Sequence, residues 1–432
     1  MNGTQKALPK RSNTSGVNLR QYSMLIALVA IVAFFQVATK GILLVPMNVS
    51  NLIAQNAYVV ILAIGMLICI LTGGNIDLSV GSVVAIVGTV AGKMVIESKG
   101  NVYVTAALCL LIGIAIGAWQ GFWIAYVRIP AFIVTLAGML MFRGMTQTIL
   151  GGFTLAPFPE EYMKWSTGSV PDFVGNLIAL ANPEYPGKLS LFGMNFNATA
   201  LVVGIVLVLI YAALQFVNYR GRRKKGYEVG SPIIAVLKTV GIGAVILLLF
   251  AVLAQHRGIP TVLVLLGILL LVYTFFTTNT VMGRHIYAIG GNEKAARLSG
   301  VKTNAMLFFA YVNMGFLSAI AGLVFAARLN SASPQAGQSF EMDAIASCYI
   351  GGASAYGGIG TVSGTLIGAL IMGVLNNGMS IVGIPASDQM TVKGLVLLAA
   401  VAFDVISKKQ TAMSAFSNPF KKRNKAQTAV EK

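Results

Sequence analysis

Apolar windows recur along the whole chain, near residues 22–39, 52–72, 78–96, 102–125, 131–150, 199–218, 232–254, 259–279, 304–327, 342–356, 361–382 and 390–407. Most are close to the ~20 residues that an α-helix needs to cross the hydrocarbon core of a bilayer. Lipid offers no water to a backbone amide, so a spanning segment must close its own hydrogen bonds as a helix or join a barrel. Continuous apolar runs, rather than short alternating ones, select the helix. The expected fold is an all-α polytopic membrane protein with about 10–12 transmembrane helices.

Charge supports that layout. Only 10% of the 432 residues are charged, against about 25% in soluble domains. The net charge is +18, and most of the 31 Lys and Arg fall in four clusters: Lys6–Arg20, Arg220–Lys225, Arg284–Lys302 and Lys408–Lys432. Basic residues beside spans mark the cytoplasmic side. An even number of spans puts all four clusters on that side, with both termini. A pI of 9.9 would also suit nucleic-acid binding, but basic clusters spaced between apolar spans fit topology, so no nucleic-acid partner is expected. The window 342–356 is short and ends in AYGGIG, as a re-entrant half-helix would.

These features divide the chain into an N-terminal tail (1–21), a membrane domain (22–407) and a basic C-terminal tail (408–432). The run Met24–Ala38 is followed by no clear small-x-small cleavage site and reads as a retained first span. Segment 151–198 holds Pro157, Pro159, Pro171, Pro183 and Pro186 and is weakly acidic. It lies opposite the basic clusters and reads as an external loop or cap. Cys69, Cys109 and Cys348 sit in apolar surroundings and read as small buried hydrophobes.

Two glycine-rich interruptions, GGNIDLSVGS (73–82) and GGASAYGGIGTVSG (351–364), break apolar sequence. Non-helical backbone at membrane depth is tolerated beside protein or a water-filled cavity, often along a transport path. Asn75 or Asp77 could cap the next helix, or, with Ser79, touch a solute. Glu341 and Asp343 suit a positive helix N-terminus, and either could hydrogen-bond a polar solute such as a sugar. Asn376 and Asn377 are further candidates for the path. Arg143, near the end of its span, is expected to snorkel to the interface. The spacing of Gly113, Gly117 and Gly121, and of Gly364 and Gly368, allows close backbone approach between helices.

Chemistry is sparse. HExxH, CxxC, GxSxG and the GxxxxGK[ST] phosphate loop are all absent, so neither a visible catalytic cluster nor ATP binding by that loop exists. No cofactor or metal site is expected. A proton- or ion-coupled secondary transporter would need ionisable residues in several spans, and the chain has few. Energy would then come from a partner. The loop 283–303, GRHIYAIGGNEKAARLSGVKT, is polar, helix-like and long for a tether, which suits a docking helix.

That loop resembles the cytoplasmic loop of permease subunits of bacterial monosaccharide ABC importers, the ribose, xylose, galactose and arabinose group. The resemblance runs through ARLNSASPQAGQSFEMDAIASCYIGGASAYGGIGTVSGTLIGALIMGVLNNGMSIVGI and includes TGGNIDLSVGS and RIPAFIVTLAGMLMFRG, over residues 50–153 and 256–407. Asn197–Leu253 departs from the ribose type by adding two spans (199–254), a layout more like the xylose and multiple-monosaccharide permeases. The resemblance implies a non-catalytic homodimeric permease in the bacterial inner membrane, surrounded by lipid. It would work with a cytoplasmic ABC ATPase that binds the ATP and with an external sugar-binding protein. It also implies a coupling helix at Asn292–Ser299, where Gly291, Asn292, Glu293, Lys294, Arg297 and Leu298 meet the ATPase.

Overall fold

The computed structural model describes residues 19–181, 189–191, 194–226, 231–402 and 405–406. The basic clusters at the two ends of the chain therefore lie largely outside the described residues. Fifteen named helices follow in order: α1 (Leu19–Ala38), α2 (Pro46–Leu71), α3 (Val80–Gly92), α4 (Val102–Ala125), α5 (Ala131–Leu150), α6 (Glu160–Thr167), α7 (Phe173–Ala181), α8 (Ala198–Lys224), α9 (Pro232–Ala254), α10 (Thr261–Asn279), α11 (Val281–Gly291), α12 (Glu293–Leu298), α13 (Thr303–Leu329), α14 (Phe340–Ile350) and α15 (Val362–Val382). A last helix covers residues 386–402. Among the described residues the strands are one pair, β1 (Leu189–Leu191) antiparallel to β2 (Met194–Phe196). Among the described residues nine helices are long and apolar enough to cross a bilayer.

The core forms around α2. From Val59 to Leu71 it is apolar on every face and every residue is buried, whereas its first turns keep exposed and polar positions such as Met47 and Asn51. It packs against α13, α15, α14 and α10. α13 in turn lies along α4, where the glycine ladder acts as expected. A Cβ on Gly113 would sit 2.5 Å from the Gly315 carbonyl oxygen, and one on Gly121 would sit 3.1 Å from that of Phe308. Gly117 rests directly on the Tyr311 carbonyl. Gly364 and Gly368 do the same for α14 and α15, lying on the carbonyls of Gly351 and Ser347. Dispersion between backbones replaces the hydrophobic effect that lipid withholds from helix association.

The insert of residues 199–254 folds as the pair α8 and α9. Only 11% of each apolar window is buried, so these helices present nearly all of their surface outward. Two anchors hold the described part of segment 151–198. Tyr162 of α6 is fully buried and stacks on Phe158 with ring centroids 4.3 Å apart. Asp172 accepts from the amides of Gly175 (3.0 Å), Ala198 (3.0 Å) and Thr199 (2.8 Å), and from the Thr199 hydroxyl (2.7 Å). One carboxylate thus serves the starts of both α7 and α8.

The window 342–356 does not form a full span. α14 has 11 residues, about 16 Å at 1.5 Å per residue, or half the hydrocarbon thickness. The crossing is shared with an irregular stretch before it. Ala332 pairs with Leu155 at the C-terminal end of α13, whereas Gly358 donates to the Leu71 carbonyl (3.2 Å) beside Gly290 at the opposite end. Residues 331–358 therefore run from one end of α13 to the other.

Arg143 corrects the expectation from sequence. Rather than snorkelling, its guanidinium donates to the carbonyls of Pro334 (3.4 Å), Ala336 and Gly337 (3.2 Å). The irregular stretch has acceptors that no helix satisfies, and a buried carbonyl without a donor is costly. Arg143 has five donors in a planar fork and answers that need.

Candidate functional site

The candidate residues fall into separate clusters. Asp77 follows the break after α2 and is buried. Its Oδ1 accepts from the Ser79 amide (2.8 Å) and hydroxyl (2.7 Å), and Gln120 of α4 donates to the Ser79 oxygen at 2.6 Å. Asp77 therefore closes an Asx turn into α3 rather than bonding the N2 or N3 amide of that helix. Asn75 donates to the Thr72 hydroxyl at 3.2 Å. Both side chains shape the break. Gln120 escaped sequence reading because a single amide in a glycine-rich span carries no period or motif.

A second cluster surrounds Asp343 in the first turn of α14. Lys393, from the last helix, approaches its Oδ1 to 3.0 Å and its Oδ2 to 3.2 Å. Tyr58 of α2 donates to Oδ2 at 3.3 Å, and Asn376 of α15 at 3.5 Å. The Asp343 side chain is 1% exposed and that of Lys393 16%. Lys393 escaped the sequence reading: it stands as a charge inside the apolar window 390–407, but its partner lies 50 residues away. Tyr58 also stacks on Phe340 at 3.8 Å between centroids.

Asn377 follows Asn376 but faces elsewhere. It accepts from Asn48 (3.0 Å) and donates to Gln55 (3.0 Å), both on α2. Of the six proposed path residues, Asp77 and Ser79 share one cluster and Asp343 and Asn376 another, while Asn75 and Asn377 stand apart from both.

Above Tyr58 a polar pocket of about 240 Å³ opens. Ser50, Asn51 and Ala54 line it from the same face of α2 as Tyr58, at helical spacing. Ser166 to Ser169 follow from the end of α6, His256 to Gly258 from the α9–α10 connection, and Arg328 from α13. Ser166 Oγ and Arg328 Nε are buried without a hydrogen-bond partner. These residues come from four distant stretches, which is why no sequence window revealed them.

At the other ends of α2 and α13 lies α12. Asn292 caps it by accepting from the Ala295 amide at 3.0 Å, and Ser299 is its C-cap. Glu293 pairs with Arg128 of the α4–α5 connection at 2.8 Å. Arg128 and Arg297 both donate to Asn304 of α13, the latter at 3.2 Å. Ala296 is buried, whereas Asn292, Lys294 and Leu298 face outward, Leu298 with 90% exposure. Just before it, Gly290 rests on the Leu71 carbonyl and the Gly358 amide, and Gly357 lies against Gly73. The two glycine-rich breaks and the end of α11 thus meet at one junction.

A bundle with broken spans, buried polar clusters at two levels and a small capped helix projecting from one end has the architecture of a transport subunit. It is a multi-pass, non-catalytic transport subunit. The chain belongs to the family described as branched-chain amino acid transport system / permease component, which matches residues 48–401. It is 38% identical over 420 residues to the xylose transport system permease protein XylH of Escherichia coli K12, covering 94% of this chain and 97% of that protein. It is 39% identical over 396 residues to XylH of Haemophilus influenzae, covering 91% and 98%. The E. coli K12 ribose import permease protein RbsC is 35% identical over 408 residues, covering 94% and 99%. No solved structure matches the chain.

Proposed function

We propose that this chain is the membrane-spanning subunit of an ATP-driven ABC importer for a monosaccharide in the bacterial inner membrane. Two copies enclose the path, a cytoplasmic ATPase docks at α12, and an external binding protein delivers the sugar to the polar pocket. The observation that carries this reading is the near full-length similarity to xylose and ribose permeases. The basic end of α8 and the loop bearing α12 support placing that face, with both termini, in the cytoplasm.

Docking is supported by the division of labour within α12. Glu293 and Arg297 hold the helix to Arg128 and Asn304, which leaves Lys294 and Leu298 to meet the ATPase. The path runs from the pocket past Tyr58 to Asp343 and Asn376, while Asn75, Asp77 and Ser79 keep the break in shape and Asn377 ties α15 to α2. The family description also favours a branched-chain amino acid as cargo. Such a zwitterion needs an anion for its ammonium group. The pocket lining holds Arg257 and Arg328 and no carboxylate, which favours an uncharged polyol.

The test is uptake into vesicles reconstituted with the chain, its ATPase and its binding protein, offered xylose, ribose and leucine in turn. ATP-dependent uptake of one of the sugars, abolished in Lys294→Glu/Leu298→Asp together with ATPase retention, is expected. Leucine uptake would assign the cargo to the second reading. Solute movement by the chain alone, driven by an ion gradient, would overturn both.

A further inference from the structure

The α8–α9 hairpin holds a cavity of about 840 Å³ that the transport reading does not use. It lies at the end of the hairpin remote from the small cluster of Phe196, Ala200, Phe250 and Ala254 that ties the two helices together. Phe216, Ile234, Val236 and Val240 give it apolar walls, and Arg222 and Lys238 stand among them with Tyr219 and Thr239.

The charge there is one-sided. Neither α8 nor α9 contains an acidic residue, while α8 ends in Arg222, Arg223 and Lys224. Glu228, in the connection, lies outside the described residues. Arg220 is engaged over the Phe216 ring at 4.4 Å, and Arg222 lines the cavity. Lys238 is the seventh residue of α9, about 9 Å along the helix from its start. A cation that far into an outward-facing apolar helix calls for a counter-charge. Buried only to 11%, this hairpin meets lipid along most of its length.

We propose that this cavity is a binding site for an anionic glycerophospholipid. The headgroup phosphate is held by Arg222 and Lys238, with Tyr219 and Thr239 as further hydrogen-bonding groups. The acyl chains lie along Ala212, Phe216 and Val240, on the far side of the two cations from the hairpin's charged end. Apolar walls beneath paired cations match an amphiphile with an anionic head, and basic pockets between membrane helices take such headgroups. A second copy of this chain would have to bring an acidic surface into the cavity.

The experiment is native mass spectrometry of the full chain released from nanodiscs of equal parts phosphatidylglycerol and phosphatidylcholine. Wild type should retain phosphatidylglycerol selectively. Arg222→Gln/Lys238→Gln should lower that retention at least about tenfold. Arg223→Gln/Lys225→Gln removes the same charge outside the cavity and should leave retention within about twofold, and thermal melts confirm that both variants fold. Equal loss in the two variants would mean diffuse surface attraction and overturn the site. So would unchanged retention in the first, or equal retention of phosphatidylcholine. Burial of the cavity between two copies, shown by a cross-link that excludes lipid, would overturn it as well.

Discussion

Lys393→Met tests whether Asp343 is held by its ion pair or is free to meet solute. The substitution keeps the length and most of the packing of the side chain but removes the charge. Among the described residues Asp343 then retains Tyr58 at 3.3 Å and Asn376 at 3.5 Å, both long for a bond to a carboxylate. Stranding one member of a buried pair costs about 3–5 kcal/mol. A ceiling exists, because the carboxylate can instead take up a proton. From pH 7 this costs an ordinary aspartate about 4 kcal/mol, and about 1.4 kcal/mol less for each unit of pH below that. Lys393→Met should therefore lose about 3–4 kcal/mol at neutral pH, and the deficit should shrink as the solution is acidified. Adding Asp343→Asn leaves no charge to strand and should recover most of the loss. Denaturant titration of the four proteins in detergent, at pH 7 and pH 5, gives the double-mutant cycle. A Lys393→Met protein as stable as wild type, or a double variant no better than the single, would refute the argument. Uptake by the double variant then separates roles, since it should fold yet transport poorly where Asp343 contacts the solute.

Other outcomes follow from the same geometry. Gly117→Ala forces a methyl onto the Tyr311 carbonyl and should destabilise by about 1–3 kcal/mol, whereas Gly144→Ala, with open space around it, should be neutral or stabilising by up to about 1 kcal/mol; thermal melts decide. Arg128→Ala should loosen α12 without removing Leu298, lowering sugar-stimulated ATP hydrolysis while ATPase binding in a pull-down persists, and Leu298→Asp should abolish the binding itself. At Asp172, burial opposes ionisation, but the hydrogen bonds from Thr199, Gly175 and Ala198 outweigh it and hold the carboxyl below its usual range. Its contribution is complete above the ordinary carboxylate range and disappears as pH falls through the lowered value. Asp172→Asn should cost about 1–2 kcal/mol at pH 7, with protection of 151–198 against proteolysis falling in step and the difference from wild type vanishing in acid.

Much of the fold was legible because lipid imposes one simple demand on sequence. Apolar length marked nearly every crossing, glycine spacing marked the α4–α13 seam, and the capped segment Asn292–Ser299 emerged with the expected bounds. The signal failed where side chains answer to distant partners. Arg143 has the spacing of an interfacial residue, yet its acceptors lie nearly two hundred residues away. Half of the crossing at 331–350 is irregular backbone, which has no hydrophobic period to read. The polar clusters were hardest, because Asp77, Asp343 and Asn377 look alike as isolated polar letters. Only their separate partners, Ser79, Lys393 and Gln55, distinguish them.

The meeting of Gly290, Gly358 and Gly73 has a mechanical consequence. Side chains between two moving parts act as springs, since rotamers can change before the backbone does. Here main chain bears on main chain, so there is almost no slack to take up. A displacement of α12 by a fraction of an ångström would arrive undiminished at the start of both broken segments, as in a stiff linkage whose pivot has no play.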